Sequence, residues 1–186
     1  MSKQKIILLS LIAIFAVIYG IQLATSGTNS VKTIVLEQNI DAIRVTLADS
    51  SSYVLSKKSS APTDANSDGE TETVWMIDNG KKAESSVASS MEDQLKEIKV
   101  VSTISSMTSA DLYDLQDEKS IIVDALSGED IVRTLRIGKL TDTSSQTYVE
   151  IDKNDSIVLV SGDLQWIFNK AIQDVEYVEP EPVEEE

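Results

Sequence analysis

The residues of this 186-residue chain whose types and spacing could do chemistry lie in the segment 64–72, Asp-Ala-Asn-Ser-Asp-Gly-Glu-Thr-Glu. This segment matches the first half of a calcium-binding loop, in which oxygens at alternate positions converge on one hard cation and a glycine makes the sharp turn. The candidate calcium ligands share this alternating spacing and are Asp64, Asn66, Asp68 and Glu70. Trp75 stands at the twelfth position, where such a loop needs a bidentate Glu, and polar hairpin loops also produce such strings by chance.

The chain contains no Cys and no His. It therefore has no disulfide, no thiol nucleophile, no Ser-His-Asp arrangement and no His-ligated metal site. Asp111, Asp114 and Asp117 are spaced like carboxylates on one helix face, but they are typical of a solvated turn. We expect no enzymatic activity, no catalytic residue and no bound cofactor, with calcium as the one exception to test.

An apolar run covers residues 6–23 and directly follows Lys3 and Lys5. A run of this length crosses most of a bilayer core as a helix, and the lysines favour a cytoplasmic end at residues 1–5. The alternative is a cleaved secretory signal, for which Ala24-Thr25-Ser26 would serve as the cleavage site. The run exceeds the usual signal length, which favours an uncleaved anchor. No Cys follows the run, so a bacterial lipoprotein anchor is excluded.

The part of the chain after residue 27 holds all 31 acidic residues and 14 of the 16 basic ones, a formal charge of −17. A surface this negative repels nucleic acid and attracts basic partners or cations. Residues 175–186 combine dense negative charge with alternating proline, which predicts a disordered, extended tail. Such a tail is either a solubilising end or a handle for a basic partner.

Hydrophobic periodicity between residues 41 and 174 predicts one extracytoplasmic α+β domain, preceded by a linker at 24–40. Alternating residues predict strands at 41–48, 52–57, 73–77, 120–126, 131–137, 146–151 and 156–160, and an extended segment at 100–104. Apolar residues every three or four positions predict helices at 84–98 and 164–173, the second capped by Asp163. Several strands followed by one helix thus occur twice, which suggests two similar halves. Trp75 and Trp166 each stand in an apolar pattern and are expected to be buried or half-buried.

The order of short motifs resembles a bacterial family of domains of unknown function, the family numbered 4340. The motifs that carry the resemblance are Val74-Trp75-Met76-Ile77, Ala83-Glu84, Tyr113-Asp114-Leu115, Leu135-Arg136-Ile137-Gly138-Lys139, Tyr148-Val149 and Ile157-Val158-Leu159-Val160 leading into Leu164. Together they span about residues 41 to 173. Asp114 stands where the family often has Gly, and the Pro that often follows that turn is absent.

The resemblance implies a non-enzymatic envelope protein of the bacterial inner membrane. Some members of the family are similar to proteins encoded beside gliding-motility-type ABC transporters. The apolar run predicts a single-pass anchor with the domain on the periplasmic or extracellular side, and the negative charge predicts no nucleic-acid partner. Together with these features, the resemblance implies an accessory or interaction domain whose partner is a multispanning transporter or envelope protein. The alternative function is a binding module for a small ligand or calcium.

Overall fold

The computed structural model describes Phe15, residues 31–60 and residues 72–179. From Lys32 onward the chain is one compact unit, mostly an antiparallel sheet with a few helices, which confirms the α+β fold class. Within the described residues, no helix has both the length and the apolar character needed to cross a membrane. Apart from Phe15, the proposed anchor at 6–23 lies outside the described residues, as do all four candidate calcium ligands.

The described residues contain nine strands, all paired antiparallel in a single sheet. The strands are β1 Lys32–Val35, β2 Ala42–Thr46, β3 Ser52–Ser60, β4 Glu72–Ile77, β5 Glu97–Ser106, β6 Ile121–Ser127, β7 Asp130–Leu140, β8 Gln146–Ile151 and β9 Ser156–Ser161. The helices are α1 Ser85–Lys96, a 3₁₀ helix Met107–Tyr113, α2 Leu164–Phe168 and α3 Ile172–Val175. The sheet order is β1-β5-β9-β8-β7-β6-β2-β3-β4.

The alternation of apolar residues sets the buried face of the sheet. In β2, Ile43 and Val45 are fully buried, whereas Arg44 between them is exposed. Ile43 lies opposite Leu55 of β3, and Val45 lies opposite Tyr53. These pairs fix the register, because a shift by one residue would turn both apolar side chains toward water.

Each half of the chain ends its run of strands with a helix that packs on the sheet. The strands β2-β3-β4 precede α1, and β6-β7-β8-β9 precede α2. The two runs share one sheet because β2 pairs with β6, and α1 contacts α2. Helix α1 buries Ala88, Met91 and Leu95, a spacing of three and four residues that makes one face of a helix.

The predicted linker at 24–40 is wrong for its described C-terminal part. Lys32–Val35 is strand β1, paired with residues 97–100 of β5, and Leu36 and Ile40 are buried. Four residues are too short to show a strand pattern. Their partner also lies about sixty residues further along the chain, so long-range pairing and not local periodicity makes this strand.

The predicted boundary of the acidic tail at residue 175 is also wrong. Val175 is fully buried, and Glu176 forms a β-bridge with Ala83. The Tyr177 amide donates to the Lys82 carbonyl at 2.9 Å, and Lys81 Nζ lies 2.6 Å from Glu176 Oε2. The sheet edge therefore holds residues 175–177, and residues 180–186 lie outside the described range.

The predicted helix at 164–173 is two short helices. Helix α2 ends at Phe168, the Lys170 amide donates to the Phe168 carbonyl at 2.9 Å, and Ala171 is extended before α3 begins. The break lets α3 turn back toward the sheet, where Val175 enters the core.

Candidate interaction site around helix α2

Two of the motifs that the sequence presents separately meet where β7 passes the end of the 3₁₀ helix. A Cβ placed on Gly138 would lie 2.2 Å from the Tyr113 carbonyl oxygen and 2.9 Å from Leu115 Cγ. Only glycine therefore allows this close approach of two backbone segments. Asp114, between Tyr113 and Leu115, adopts a left-handed conformation with φ of 55°. This conformation explains why a glycine would also suit that position.

Aromatic and basic side chains gather at the same place. The rings of Tyr113 and Tyr148 have their centroids 4.5 Å apart, and Lys139 Nζ lies 6.0 Å from the Tyr113 centroid. An open hollow of about 550 Å³ lies beside them, lined by Asp114, Lys119, Lys139, Leu140 and Gln165. Gln165 Nε2 donates to the Gly138 carbonyl at 2.7 Å, which joins this region to helix α2.

Helix α2 is short but firmly placed. The Asp163 carboxylate accepts from the Trp166 amide at 2.8 Å and caps the N-terminus of the helix. Thr147 Oγ1 accepts from the Leu164 amide at 3.0 Å and donates to the Gly162 carbonyl at 2.8 Å. Leu164 and Phe168 are fully buried one turn apart, so the inner face of α2 belongs to the core.

Trp166 lies on the outer face of α2 and is 74% exposed, so its expected burial is wrong. It is two residues from Leu164 and two from Phe168, which turns it away from the buried face. The sequence contained this signal, because Trp166 is not part of the apolar stripe that predicts the helix. An exposed tryptophan on a fixed backbone is typical of a binding surface, since its large ring contributes much contact area.

Two hollows flank the Trp166 ring. The first, of about 530 Å³, is lined by polar and charged side chains, and the second, of about 360 Å³, lies between α2 and the first half of α1. We call the lining of the first hollow the Trp166 surface: Asp163, Gln165, Trp166, Asn169, Lys170 and Asp174. Lys170 Nζ lies 4.6 Å from the Trp166 ring centroid, a distance that indicates a cation–π contact.

The charges of the Trp166 surface are only partly satisfied. Asp174 Oδ2 accepts from the Ala171 amide at 3.3 Å, much as Asp163 accepts from the Trp166 amide. Within residues 31–60 and 72–179, no ion pair involves Lys170, Asp163 or Asp174. This surface therefore keeps both a cation and two carboxylates available for a partner.

A second charged cluster, on α1 and β3, is internally satisfied. Glu92 Oε1 lies 2.7 Å from Lys57 Nζ and 2.5 Å from Lys96 Nζ. Burial by itself raises the pKa of Glu92, but hydrogen bonds from the two lysines outweigh it and bring the pKa below its usual value of 4.5. Lys57 Nζ also lies 5.0 Å from the Trp75 ring centroid, and Trp75 is only 5% exposed. This cluster therefore stabilises the fold.

Two further side chains that carry polar groups, Arg133 of β7 and Tyr53 of β3, are buried. Arg133 donates from Nη1 to the Leu95 carbonyl at 2.8 Å, so it satisfies a carbonyl in the last turn of α1. Burial lowers the pKa of Arg133, and nearby Asp152 acts against that shift. Burial, followed by the charge of Asp174, raises the pKa of Tyr53. The Arg133 hydrogen bond therefore joins the last turn of α1 to β7.

The carboxylates that the sequence spaces along one helix face, Asp114 and Asp117 among them, do not come together. Asp117 pairs with Arg136, and Asp114 pairs with Lys119, so these two carboxylates do not share a site. Within the described part of the chain, no group of three or more acidic residues is arranged to hold a metal ion.

Comparison with known proteins finds no relative: no family model matches the chain, and no curated protein or solved structure is significantly similar to it. The resemblance to the family numbered 4340 therefore stays a prediction from the motifs.

Proposed function

We propose that the chain is a membrane-anchored interaction domain without catalytic activity, located on the periplasmic or extracellular side of a bacterial inner membrane. The apolar run at 6–23 after Lys3 and Lys5 supports the anchor and its orientation. A composition without His or Cys supports a role other than catalysis, because it removes the commonest general base and the strongest nucleophile.

One observation carries the interaction role: Trp166 is 74% exposed on a helix whose other face is fully buried. The cap orders the backbone that carries Trp166 before a partner binds, which lowers the entropy cost of binding. Tryptophan is also enriched among the residues that dominate protein–protein affinity. The Trp166 surface is therefore the part of the domain best suited to contact a partner.

The anchor supports this role by tethering. A domain confined beside a membrane partner binds as if at high concentration, so one modest contact surface is sufficient. The partner is a multispanning membrane protein, an ABC transporter or another envelope component. The resemblance to the family numbered 4340 supports this choice of partner.

Affinity capture tests the proposal. The full chain is expressed with a tag and captured from detergent-solubilised membranes, beside the Trp166→Leu variant. Leu112→Ser is the matched control, because Leu112 is 59% exposed on the 3₁₀ helix, outside the Trp166 surface. We expect the original chain and the control to recover a multispanning protein and Trp166→Leu to lose most of it. Recovery of the bait alone, or equal recovery by all three chains, would contradict the proposal.

The absence of cysteine makes the orientation directly testable. Glu129 lies in the exposed turn between β6 and β7, so Glu129→Cys creates a single accessible thiol. We expect a membrane-impermeant maleimide to label this variant in cells whose inner membrane is intact. Labelling that requires lysis of that membrane would place the domain on the cytoplasmic side and overturn the proposal.

A further inference from the structure

We propose that the Trp166 surface binds an arginine or lysine side chain from a basic segment of its protein partner, and that this cation takes the place of Lys170 over the Trp166 ring. The inference rests on the proposed function and names the chemistry of the partner's contact.

The first argument is the cation that already lies on the ring. Lys170 Nζ is 4.6 Å from the Trp166 ring centroid, so the ring face is oriented to accept a positive charge. No ion pair within residues 31–60 and 72–179 holds Lys170 there. An exposed cation–π contact contributes only about 0.5–1 kcal/mol. A partner cation with further contacts can therefore displace Lys170.

The second argument is the pair of carboxylates that would supply those further contacts. Asp163 and Asp174 both line the hollow beside the ring. Asp163 uses one oxygen to accept from the Trp166 amide, and Asp174 uses one to accept from the Ala171 amide. Among the described residues, the second oxygen of each accepts no hydrogen bond. Each can therefore accept from a guanidinium or ammonium group while its backbone contact is kept.

The third argument is charge complementarity over a longer range. The chain has a formal charge of −15, so its field attracts a basic segment and repels an acidic one or an anionic lipid surface. Arginine fits the site better than lysine, because its planar group stacks on aromatic rings and its five N–H donors match carboxylate oxygens.

Peptide binding tests the inference. The full chain in detergent micelles is titrated against a fluorescent peptide of alternating arginine and serine, with a glutamate and serine peptide of equal length as the probe control. We expect the arginine peptide to bind and the glutamate peptide not to bind. Trp166→Phe should weaken binding slightly and Trp166→Leu by about fivefold, because phenylalanine attracts a cation less strongly than tryptophan and leucine has no aromatic ring.

Two further variants separate a specific site from general charge attraction. Asp174→Asn and Glu129→Gln change the net charge equally, but only Asp174 lies on the Trp166 surface. We expect Asp174→Asn to weaken binding about threefold and Glu129→Gln to have little effect, since Glu129 is exposed and does not line the hollow. Lys170→Met should tighten binding about threefold, because it removes the competing cation.

The outcomes distinguish the two proposals. Equal effects of Asp174→Asn and Glu129→Gln, no effect of Trp166→Leu, or weaker binding by Lys170→Met would overturn the cation site. If membrane capture still depends on Trp166 while the arginine peptide does not bind, the interaction role stands and the inference about the partner's charge fails. If Trp166→Leu changes neither measurement, both proposals fail.

Discussion

The molecule contains two tryptophan–lysine pairs with the same chemistry and different surroundings. Lys57 Nζ lies 5.0 Å from the Trp75 ring, and Lys170 Nζ lies 4.6 Å from the Trp166 ring. Trp75 is 5% exposed and Trp166 is 74% exposed. Lys57 also pairs with Glu92, whereas Lys170 has no such partner among the described residues. Burial of the ring and a carboxylate that pairs with the lysine therefore decide whether such a pair stabilises the fold or stays available for binding.

The positions of the two pairs have different origins. Lys57 and Trp75 are cross-strand partners in the β3·β4 register, so the sheet itself brings them together. Trp166 and Lys170 lie four residues apart around the end of α2, so local chain geometry brings them together. The register keeps the backbones of Lys57 and Trp75 adjacent, and Glu92 also holds the Lys57 ammonium group. Lys170 can leave its ring by side-chain rotation without breaking an ion pair among the described residues.

Trp75→Ala should give the largest effect. It removes a buried ring between β4 and the core, so the free energy of unfolding should fall by about 3–5 kcal/mol. The measurement is chemical denaturation of the full chain followed by circular dichroism, which does not depend on tryptophan fluorescence. A loss below about 1 kcal/mol would show that the core does not depend on this ring.

Gly138→Ala should have the second-largest effect, and it tests the close contact between β7 and the end of the 3₁₀ helix, next to α2. The new Cβ would lie 2.2 Å from the Tyr113 carbonyl oxygen, and the cost should be roughly 3 kcal/mol. Because Gln165 donates to the Gly138 carbonyl, arginine-peptide binding should weaken as well. Gly128→Ala is the control: nothing lies within 4 Å of its Cβ position, and its φ of 61° should cost only about 1 kcal/mol. Equal losses from both variants would contradict the close contact.

Glu92→Gln should have the third-largest effect, and it tests the carboxylate that pairs with Lys57 beside the Trp75 ring. The change weakens two charge-assisted hydrogen bonds, and both lysines can turn toward water, so the loss should be roughly 1–2 kcal/mol at neutral pH. Asp93→Asn is the control, because Asp93 is the exposed neighbour on the same helix and forms none of the ion pairs described.

The same substitution predicts a pH dependence. Since the pKa of Glu92 is lowered in the folded state, its contribution is fully present above its usual pKa of 4.5 and is lost as the pH falls through the lowered pKa. The stability difference between the original chain and Glu92→Gln should therefore shrink as the pH is taken from 7 to about 3. A difference that grows on acidification would reverse the assigned direction of the shift.

Local pattern predicts most of the sheet, including the edge strand β4, but not the other edge strand β1. The alternation of Ile43 and Val45 is sufficient to place β2 and its buried face, because one side of an antiparallel strand meets the core. Strand β1 escapes such reasoning, since pairing with distant β5 makes it a strand. The contact of Tyr177 with Lys82 could not be predicted for the same reason: it joins residues far apart in the chain, and the composition around Tyr177 is that of a disordered tail.

The candidate site likewise has one feature that local pattern could predict and others that it could not. The exposure of Trp166 could be predicted, because the residue is off the stripe that contains Leu164 and Phe168. The meeting of Gly138 with Tyr113 could not, since it depends on how the 3₁₀ helix returns to β7. The carboxylate of Asp174 reaches the Trp166 surface only because α2 ends at Phe168, a break that the continuous apolar pattern concealed.

Trp166→Leu should give the smallest change in stability, less than about 0.5 kcal/mol, because its ring is exposed and the buried residues of α2 remain. Lys170→Met should change the free energy of unfolding equally little, since the chain loses only an exposed cation–π contact. Denaturation of these two variants beside Trp75→Ala makes the comparison direct. A loss from Trp166→Leu close to that from Trp75→Ala would make both pairs structural, and reduced partner binding by Trp166→Leu would then report partial unfolding. If Trp166→Leu keeps the stability of the original chain but no longer recovers the partner, the ring acts in partner binding and not in folding.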